Sequence, residues 1–177
     1  LGDVYKRQVW RSDPARVIGL YDRWSRYEAD DAAVVIYASM YGNTAQMADH
    51  IARRIAEAGV RDIRVYDVSK THVSYLISEI WRCRGVLLGS CAYNTQMFPL
   101  MENLTRDLLH AGPKDRLLGV FGTYSWNGGG VKNLNAFAEQ IGWETVAPSA
   151  EILGRPTCEK YAACDALADA MACRLKK

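Results

Sequence analysis

Residues 33–44 read AVVIYASMYGNT, and in this stretch an apolar run passes directly into a loop of small and polar residues. The run 33–38 contains β-branched valine and isoleucine, which is typical of a strand buried on both faces of a sheet. The loop 39–44 contains a glycine and hydroxyl and amide side chains, which favour the turn before a helix. The stretch therefore predicts a buried strand that leads through a polar turn into a helix.

The same order of elements is repeated along the rest of the chain. Further strand-like segments occupy residues 63–66, 85–88, 117–121 and 145–153, the last of which contains Pro148. Each is followed by a helical pattern of apolar residues spaced three and four positions apart. Five strand-then-helix units predict an α/β protein with a doubly wound, five-stranded parallel sheet and helices on both faces.

Composition and charge exclude several classes of protein. The 177 residues suit one domain, and the contents of 49% hydrophobic and 24% charged residues are close to the globular average. The net charge of +2, without a basic stripe, gives no reason to expect nucleic acid or a membrane surface as a partner. No stretch reaches the roughly 18 apolar residues of a membrane span.

Cysteine and histidine usage points away from metal and disulfide chemistry. The five cysteines form no CxxC pair, and the three histidines lie far apart in the sequence. We therefore expect no metal site and no disulfide framework, and we expect a reducing, cytoplasmic location.

The N-terminal part of the chain differs in pattern from the rest. Residues 1–8 are polar and show no periodicity, and we expect them to be a non-native or disordered leader. Asp13, followed by a proline, marks the start of an amphipathic helix that ends near Tyr27. We therefore divide the chain into this leader, a lead-in segment of helix and linker at 9–31, and a main domain at 32–177.

Ligands of parallel α/β sheets bind at the carboxyl ends of the strands, so the loops that follow strands one, three and four are the candidate site. The first loop can bind a phosphate through hydroxyls and the amides of a helix N-terminus. It contains no GK[ST] and no GxGxxG, so a single terminal phosphate suits it better than a nucleoside triphosphate. Its predicted cofactor-binding residues are Ser39, Met40, Tyr41, Gly42, Asn43 and Thr44.

The second and third loops each carry an aromatic residue. Tyr93 and Trp126 lie on loops, where they can stack on a flat ring instead of packing in a core. A phosphate loop combined with two stacking residues predicts flavin mononucleotide (FMN), and we expect no catalytic side chain beyond the flavin itself. The predicted binding residues of these loops are Ser90, Cys91, Ala92, Tyr93 and Asn94, and Gly122, Thr123, Tyr124, Ser125, Trp126, Asn127 and Gly128.

Together with residues 46–48 and 98–99, these loops resemble the three flavin loops of the flavodoxin-like domain of flavodiiron proteins. The residues from 9–11 to 21–24 resemble the segment that leads into this domain from the family's metallo-β-lactamase-like domain. The resemblance implies a flavodoxin-like fold, bound FMN, and a diiron domain that is missing here, whose His-x-Glu-x-Asp-His motif does not occur in this sequence.

The resemblance also implies a function for the whole protein. Flavodiiron proteins reduce dioxygen to water or nitric oxide to nitrous oxide, with electrons from rubredoxin or another donor. In the family the FMN of one subunit faces the diiron centre of its homodimer partner. This chain alone is therefore expected to carry electrons. It departs from the family pattern at Cys91-Ala92, where Pro-Thr is usual, and at Asn127, where serine is commoner.

Two alternatives stay open at this point. A free-standing flavodoxin or a flavodoxin-like NAD(P)H:quinone reductase would use the same loops, although neither has such a lead-in helix. A non-catalytic interaction module would instead use Tyr93, Tyr124 and Trp126 as interface anchors.

Overall fold

The computed structural model describes residues 12–176 of the chain, so the expected leader and residues 9–11 of the lead-in segment lie outside the described residues. The elements alternate as the sequence predicts. The bounds in chain order are α1 Pro14–Ser25, β1 Asp30–Ala38, α2 Asn43–Glu57, β2 Ile63–Asp67, α3 Val73–Arg82, β3 Cys83–Tyr93, β4 Gln96–Met97, α4 Pro99–Ala111, β5 Leu117–Tyr124, α5 Gly130–Ile141, β6 Glu144–Thr145, β7 Ala150–Leu153, a short 3₁₀ helix Cys158–Tyr161, and α6 Ala162–Leu175.

The main sheet is parallel, with the strand order β2-β1-β3-β5-β6. The chain runs outward from β1 to β2 and then crosses back to β3, so the order reverses between β1 and β3. Ligands bind at such a switch point, because the loops on either side of it separate and leave a crevice. The predicted doubly wound fold is confirmed.

The fifth strand position is occupied by two short strands instead of the single strand predicted at 145–153. The first, β6, pairs with the start of β5, and the second, β7, pairs with its carboxyl half. Pro148 lies between them and has no N–H to donate to a sheet ladder. A third short strand, β4, forms an antiparallel hairpin with β3 and was not predicted.

Alternate residues of each strand enter one of two cores, one on either face of the sheet. On β1, Val34 and Ile36 pack with α3, α4 and α5, while Ala33 and Val35 pack with α2 and α6. Helices therefore cover both faces, as predicted. No helix within the described residues is both long and apolar enough to cross a membrane.

The lead-in segment is attached at the amino edge of the sheet through Arg116. This side chain is 1% exposed and donates hydrogen bonds to the carbonyl oxygens of Tyr27, Ile80, Trp81 and Lys114. The Tyr27 ring also stacks on Trp81, with ring centroids 5.5 Å apart. Helix α1 has no buried residue of its own, so these contacts are what hold the segment to the domain. The helix ends at Ser25, two residues before the predicted end.

Candidate functional site

A cleft of about 460 Å³ lies at the carboxyl edge of the sheet, where the three predicted loops converge. Its volume is in the range of small-molecule sites. Two residues that the sequence analysis missed, Thr95 and Gly154, also line it. The predicted residues that line it are Ser39, Met40, Tyr41, Asn43, Cys91, Ala92, Tyr93, Asn94, Thr123, Tyr124, Ser125, Trp126 and Asn127.

The remaining predicted residues do not line this cleft: Gly42, Thr44, Ser90, Gly122 and Gly128. Two of them support it from below. Thr44 is fully buried, and its hydroxyl lies 2.8 Å from that of Thr123, which joins the first loop to the third. The buried Ser90 hydroxyl donates to the Cys91 carbonyl at 2.9 Å and accepts from the Phe98 N–H at 3.0 Å.

The first loop presents unpaired donors. Helix α2 begins after Gly42, whose left-handed φ is 82°, and no side chain caps its first turn. The Ser39 hydroxyl is buried without a hydrogen-bond partner, and it is the one buried side-chain polar atom within residues 12–176 in that situation. A buried hydroxyl without a partner is costly, so this atom fits a ligand that can hydrogen-bond to it. A phosphate oxygen suits both Ser39 and the helix N-terminus.

The second loop is a tight β-hairpin. Ala92 pairs with Met97 and Tyr93 pairs with Gln96, which leaves Asn94 and Thr95 as a two-residue turn. Their φ values of 47° and 63° are both left-handed, as in the turn type that matches strand twist. The hairpin brings Thr95 into the cleft, a contact that loop motifs alone do not reveal. It also places Met97 in strand β4, directly before α4.

Aromatic side chains are presented at the cleft without packing into the core. Trp126 is 93% exposed and Tyr93 is 45% exposed. Tyr93 is supported from one side by Phe98, edge to face, at a centroid distance of 6.1 Å. Exposed aromatic rings that line a cleft suit stacking against a planar ligand.

The described lining of the cleft carries no formally charged side chain. Within the described residues its lining includes no Asp, Glu, Lys or Arg, and no cluster of three metal-ligating side chains occurs anywhere in this part of the chain. Burial raises the pKa of the Cys91 thiol, which disfavours the reactive thiolate form. The site can therefore hold an anionic group and a flat ring, while any redox chemistry comes from the ligand.

The hydroxyl pair Thr44–Thr123 yields a test of how the first and third loops are joined. We expect Thr44→Val to lower the free energy of unfolding by about 1.5 kcal/mol, because the Thr123 hydroxyl then loses its buried partner. Thr123→Val should lower the free energy of unfolding less in the Thr44→Val protein than in the wild type. Chemical denaturation of both single mutants and the double mutant measures this difference. Thr145→Val, on an exposed strand position, is the control. Strictly additive losses would contradict an interaction between the two hydroxyls.

Sequence comparison defines the class to which this fold and cleft belong. The flavodoxin family model matches residues 35–166, which is most of the chain. The chain therefore belongs to the flavodoxin family, whose members bind FMN.

Within this family, the chain is similar to one part of a longer protein. The chain is 32% identical over 139 residues to the anaerobic nitric oxide reductase flavorubredoxin of Pectobacterium carotovorum subsp. carotovorum (strain PC1), an alignment that covers 77% of this chain and 27% of that protein. The predicted resemblance to the flavodoxin-like domain of flavodiiron proteins is thus confirmed, and the chain spans less than a third of this curated relative.

Solved structures support the same fold. Rubredoxin oxygen:oxidoreductase from Desulfovibrio gigas superposes with a TM-score of 0.86 at 23% identity, covering 92% of this chain and 40% of that one. The flavodiiron protein from Giardia intestinalis gives 0.86 at 19% identity, covering 94% of this chain and 42% of that one. At these identities the likeness shows the fold alone.

Proposed function

We propose that this chain is the FMN-binding, electron-carrying domain of a flavodiiron oxidoreductase. The observation that carries this proposal is the orphaned Ser39 hydroxyl beside the uncapped start of α2, in the same cleft as the exposed Trp126 and Tyr93. One end of the cleft thus suits a phosphate, and the aromatic residues suit an isoalloxazine ring. When bound, FMN supplies the capacity to accept and donate electrons.

In this proposal the residues of the chain bind and orient the flavin. The hydroxyl of Ser39 and the first-turn amides of α2 would donate to the phosphate. Tyr93 and Trp126 would contact the ring, and the hairpin tip at Asn94 and Thr95 would offer backbone N–H groups to its polar edge. Within the described residues no Asp, Glu, His, Lys or Arg lines the cleft, so it offers no carboxylate, imidazole or amine as an acid or base.

The electron acceptor in this proposal is a diiron centre on a separate domain, where dioxygen is reduced to water or nitric oxide to nitrous oxide. The names of the relatives, a nitric oxide reductase flavorubredoxin and a rubredoxin oxygen:oxidoreductase, support these substrates and a rubredoxin-type donor. The five cysteines are free thiols, which fits a reducing, cytoplasmic setting.

The position of the lead-in segment supports a homodimer. This segment joins the amino edge of the sheet beside Arg116, whereas the cleft lies at the carboxyl edge. The nine residues of β1 separate these edges by roughly 30 Å. A domain connected through the lead-in segment is therefore remote from the cleft of its own chain, and a second subunit is the better source of the acceptor.

The lead-in segment also favours this proposal over a free-standing flavodoxin or quinone reductase. The flavodoxin family model begins at residue 35, after the lead-in segment. The two solved structures instead match 92% and 94% of the chain. This is more than residues 32–177 contain, so the matched part includes some of the lead-in segment.

Titration with FMN and with riboflavin tests the proposal. We expect tight FMN binding, and Ser39→Ala should weaken it about 10-fold because a hydrogen bond to a charged group contributes about 1.5 kcal/mol. Riboflavin lacks the phosphate, so its affinity should not change. Quenching of flavin fluorescence measures both, with Ser78→Ala, away from the cleft, as the control. A folded chain that binds no FMN would overturn the proposal and favour an interaction module.

A further inference from the structure

Three consecutive glycines, residues 128–130, lie where the third loop enters α5. A Cβ atom placed on Gly129 would overlap the carbonyl oxygen of Thr95 and lie 2.7 Å from the backbone nitrogen of Gln96. A Cβ atom on Gly130 would lie 2.9 Å from the Ser90 carbonyl oxygen. All three obstacles are backbone atoms, which cannot rotate away. The start of α5 is therefore seated directly against the hairpin of the second loop.

Gly129 is required at this position for space and not for conformation. Its φ is −108° and its ψ is −33°, values that any L-residue adopts without strain. The case of Gly128 differs, since a Cβ there would meet only the carboxylate of Glu151, a side chain that can move, at 2.7 Å. Of the two, Gly129 is the one whose missing side chain lets two backbones touch.

The hairpin tip needs this support. Thr95 is β-branched and holds a left-handed φ of 63°, a strained conformation that persists only where the surroundings impose it. Gly129 lies against its carbonyl oxygen, and the Asn133 side chain donates a hydrogen bond to Gln96 from the first turns of α5. The strained residue also lines the cleft, so the shape of the cleft depends on these contacts.

We propose that Gly129 is a positioning residue for the flavin ring. By letting α5 seat against the hairpin tip, it fixes the second loop, which carries Tyr93, relative to the third loop, which carries Trp126. It acts through these loops and does not itself line the cleft. This inference rests on the proposed function only in naming the ligand as a flavin.

The test compares Gly129→Ala with Gly19→Ala, since Gly19 lies within α1, remote from the cleft, and has no atom within 4 Å of an added Cβ. We expect Gly129→Ala to weaken FMN and riboflavin binding alike, by about 10-fold, because it displaces the ring loops. The ratio of the FMN and riboflavin affinities measures what phosphate binding by the first loop contributes. It should stay as in the wild type. Gly19→Ala should change neither affinity.

A second variant and a ligand-free measurement complete the test. If Gly129→Ala does not fold, Asn133→Ala removes the exposed hydrogen bond to Gln96 without adding atoms, and both flavins should bind about threefold more weakly. Without any flavin, amide hydrogen exchange at residues 94–97 should be faster in either variant. Wild-type flavin affinities and wild-type exchange in a folded Gly129→Ala protein would overturn the inference. A wild-type chain that binds no FMN would overturn the proposed function, and the exchange result would still decide whether Gly129 positions the hairpin.

Discussion

Replacing Arg116 with methionine is expected to lower the free energy of unfolding by about 3 kcal/mol. The guanidinium is almost fully buried, and its partners are four carbonyl oxygens from three separate segments. Methionine fills similar space but leaves these acceptors without their donor. Burial lowers the pKa of this guanidinium, yet its ordinary value is so high that the group stays charged at neutral pH.

Thermal and denaturant unfolding measure this effect. A loss of 3 kcal/mol in a chain of this size corresponds to a fall in Tm of about 10 °C. Arg116→Lys keeps the charge but not the planar set of donors, so it should restore only part of the stability that is lost in Arg116→Met. Arg106→Ala, at an exposed arginine, should change stability by less than about 0.5 kcal/mol. Equal stability of the Arg116→Met and Arg106→Ala proteins would show that the four hydrogen bonds contribute nothing.

Replacing Trp126 with alanine is expected to raise the dissociation constant for FMN about 30-fold, since loss of a stacked indole costs about 2 kcal/mol. The same change should leave the stability of the ligand-free chain almost unaltered, because 93% of this residue is exposed. A core tryptophan would behave in the opposite way. The combination of a large loss in binding with no loss in stability is therefore diagnostic of a ligand-facing ring.

Melting temperatures measured with and without FMN separate the two effects, because a ligand that binds only the folded state raises Tm according to its affinity. Trp126→Phe retains a ring and should recover most of the FMN-induced shift. Tyr75→Ala removes another exposed aromatic residue, on α3 and away from the cleft, and should leave the shift intact. If the Trp126→Ala protein showed the full FMN-induced rise in Tm, Trp126 would not contact the flavin.

The order of helices and strands was predictable because a strand buried on both faces is a continuous apolar run, whereas a helix buried on one face repeats apolar residues three and four positions apart. The strand β1 and the stripe of α2 follow directly from this pattern. The pattern cannot show where pairing stops: β3 continues to Tyr93, well past the predicted end at residue 88, because its last residues pair with β4. The division of the fifth strand around Pro148 likewise depends on which part of β5 each piece meets.

Most of the cleft was predictable because parallel strands bring their carboxyl ends to one edge. The two residues missed there depend on strand pairing, which is local for Thr95 in the β3–β4 hairpin and distant for Gly154. Gly154 reaches the cleft because β7 pairs with β5, and its N–H donates to the Tyr124 carbonyl oxygen at 2.8 Å. Arg116 was missed for a different reason: an arginine is usually exposed, and its burial becomes evident only once three segments converge on it.

The absence of charged side chains from the described lining of the cleft determines how the surrounding solution affects binding. Sites built from lysine and arginine depend on formal charges, which dissolved ions screen over about 8 Å at physiological ionic strength. Hydroxyl and amide dipoles act only at contact distance, where no ion can intervene. Affinity for a phosphate-bearing ligand should therefore respond weakly to salt, and more strongly to the ligand's own second ionisation near pH 6.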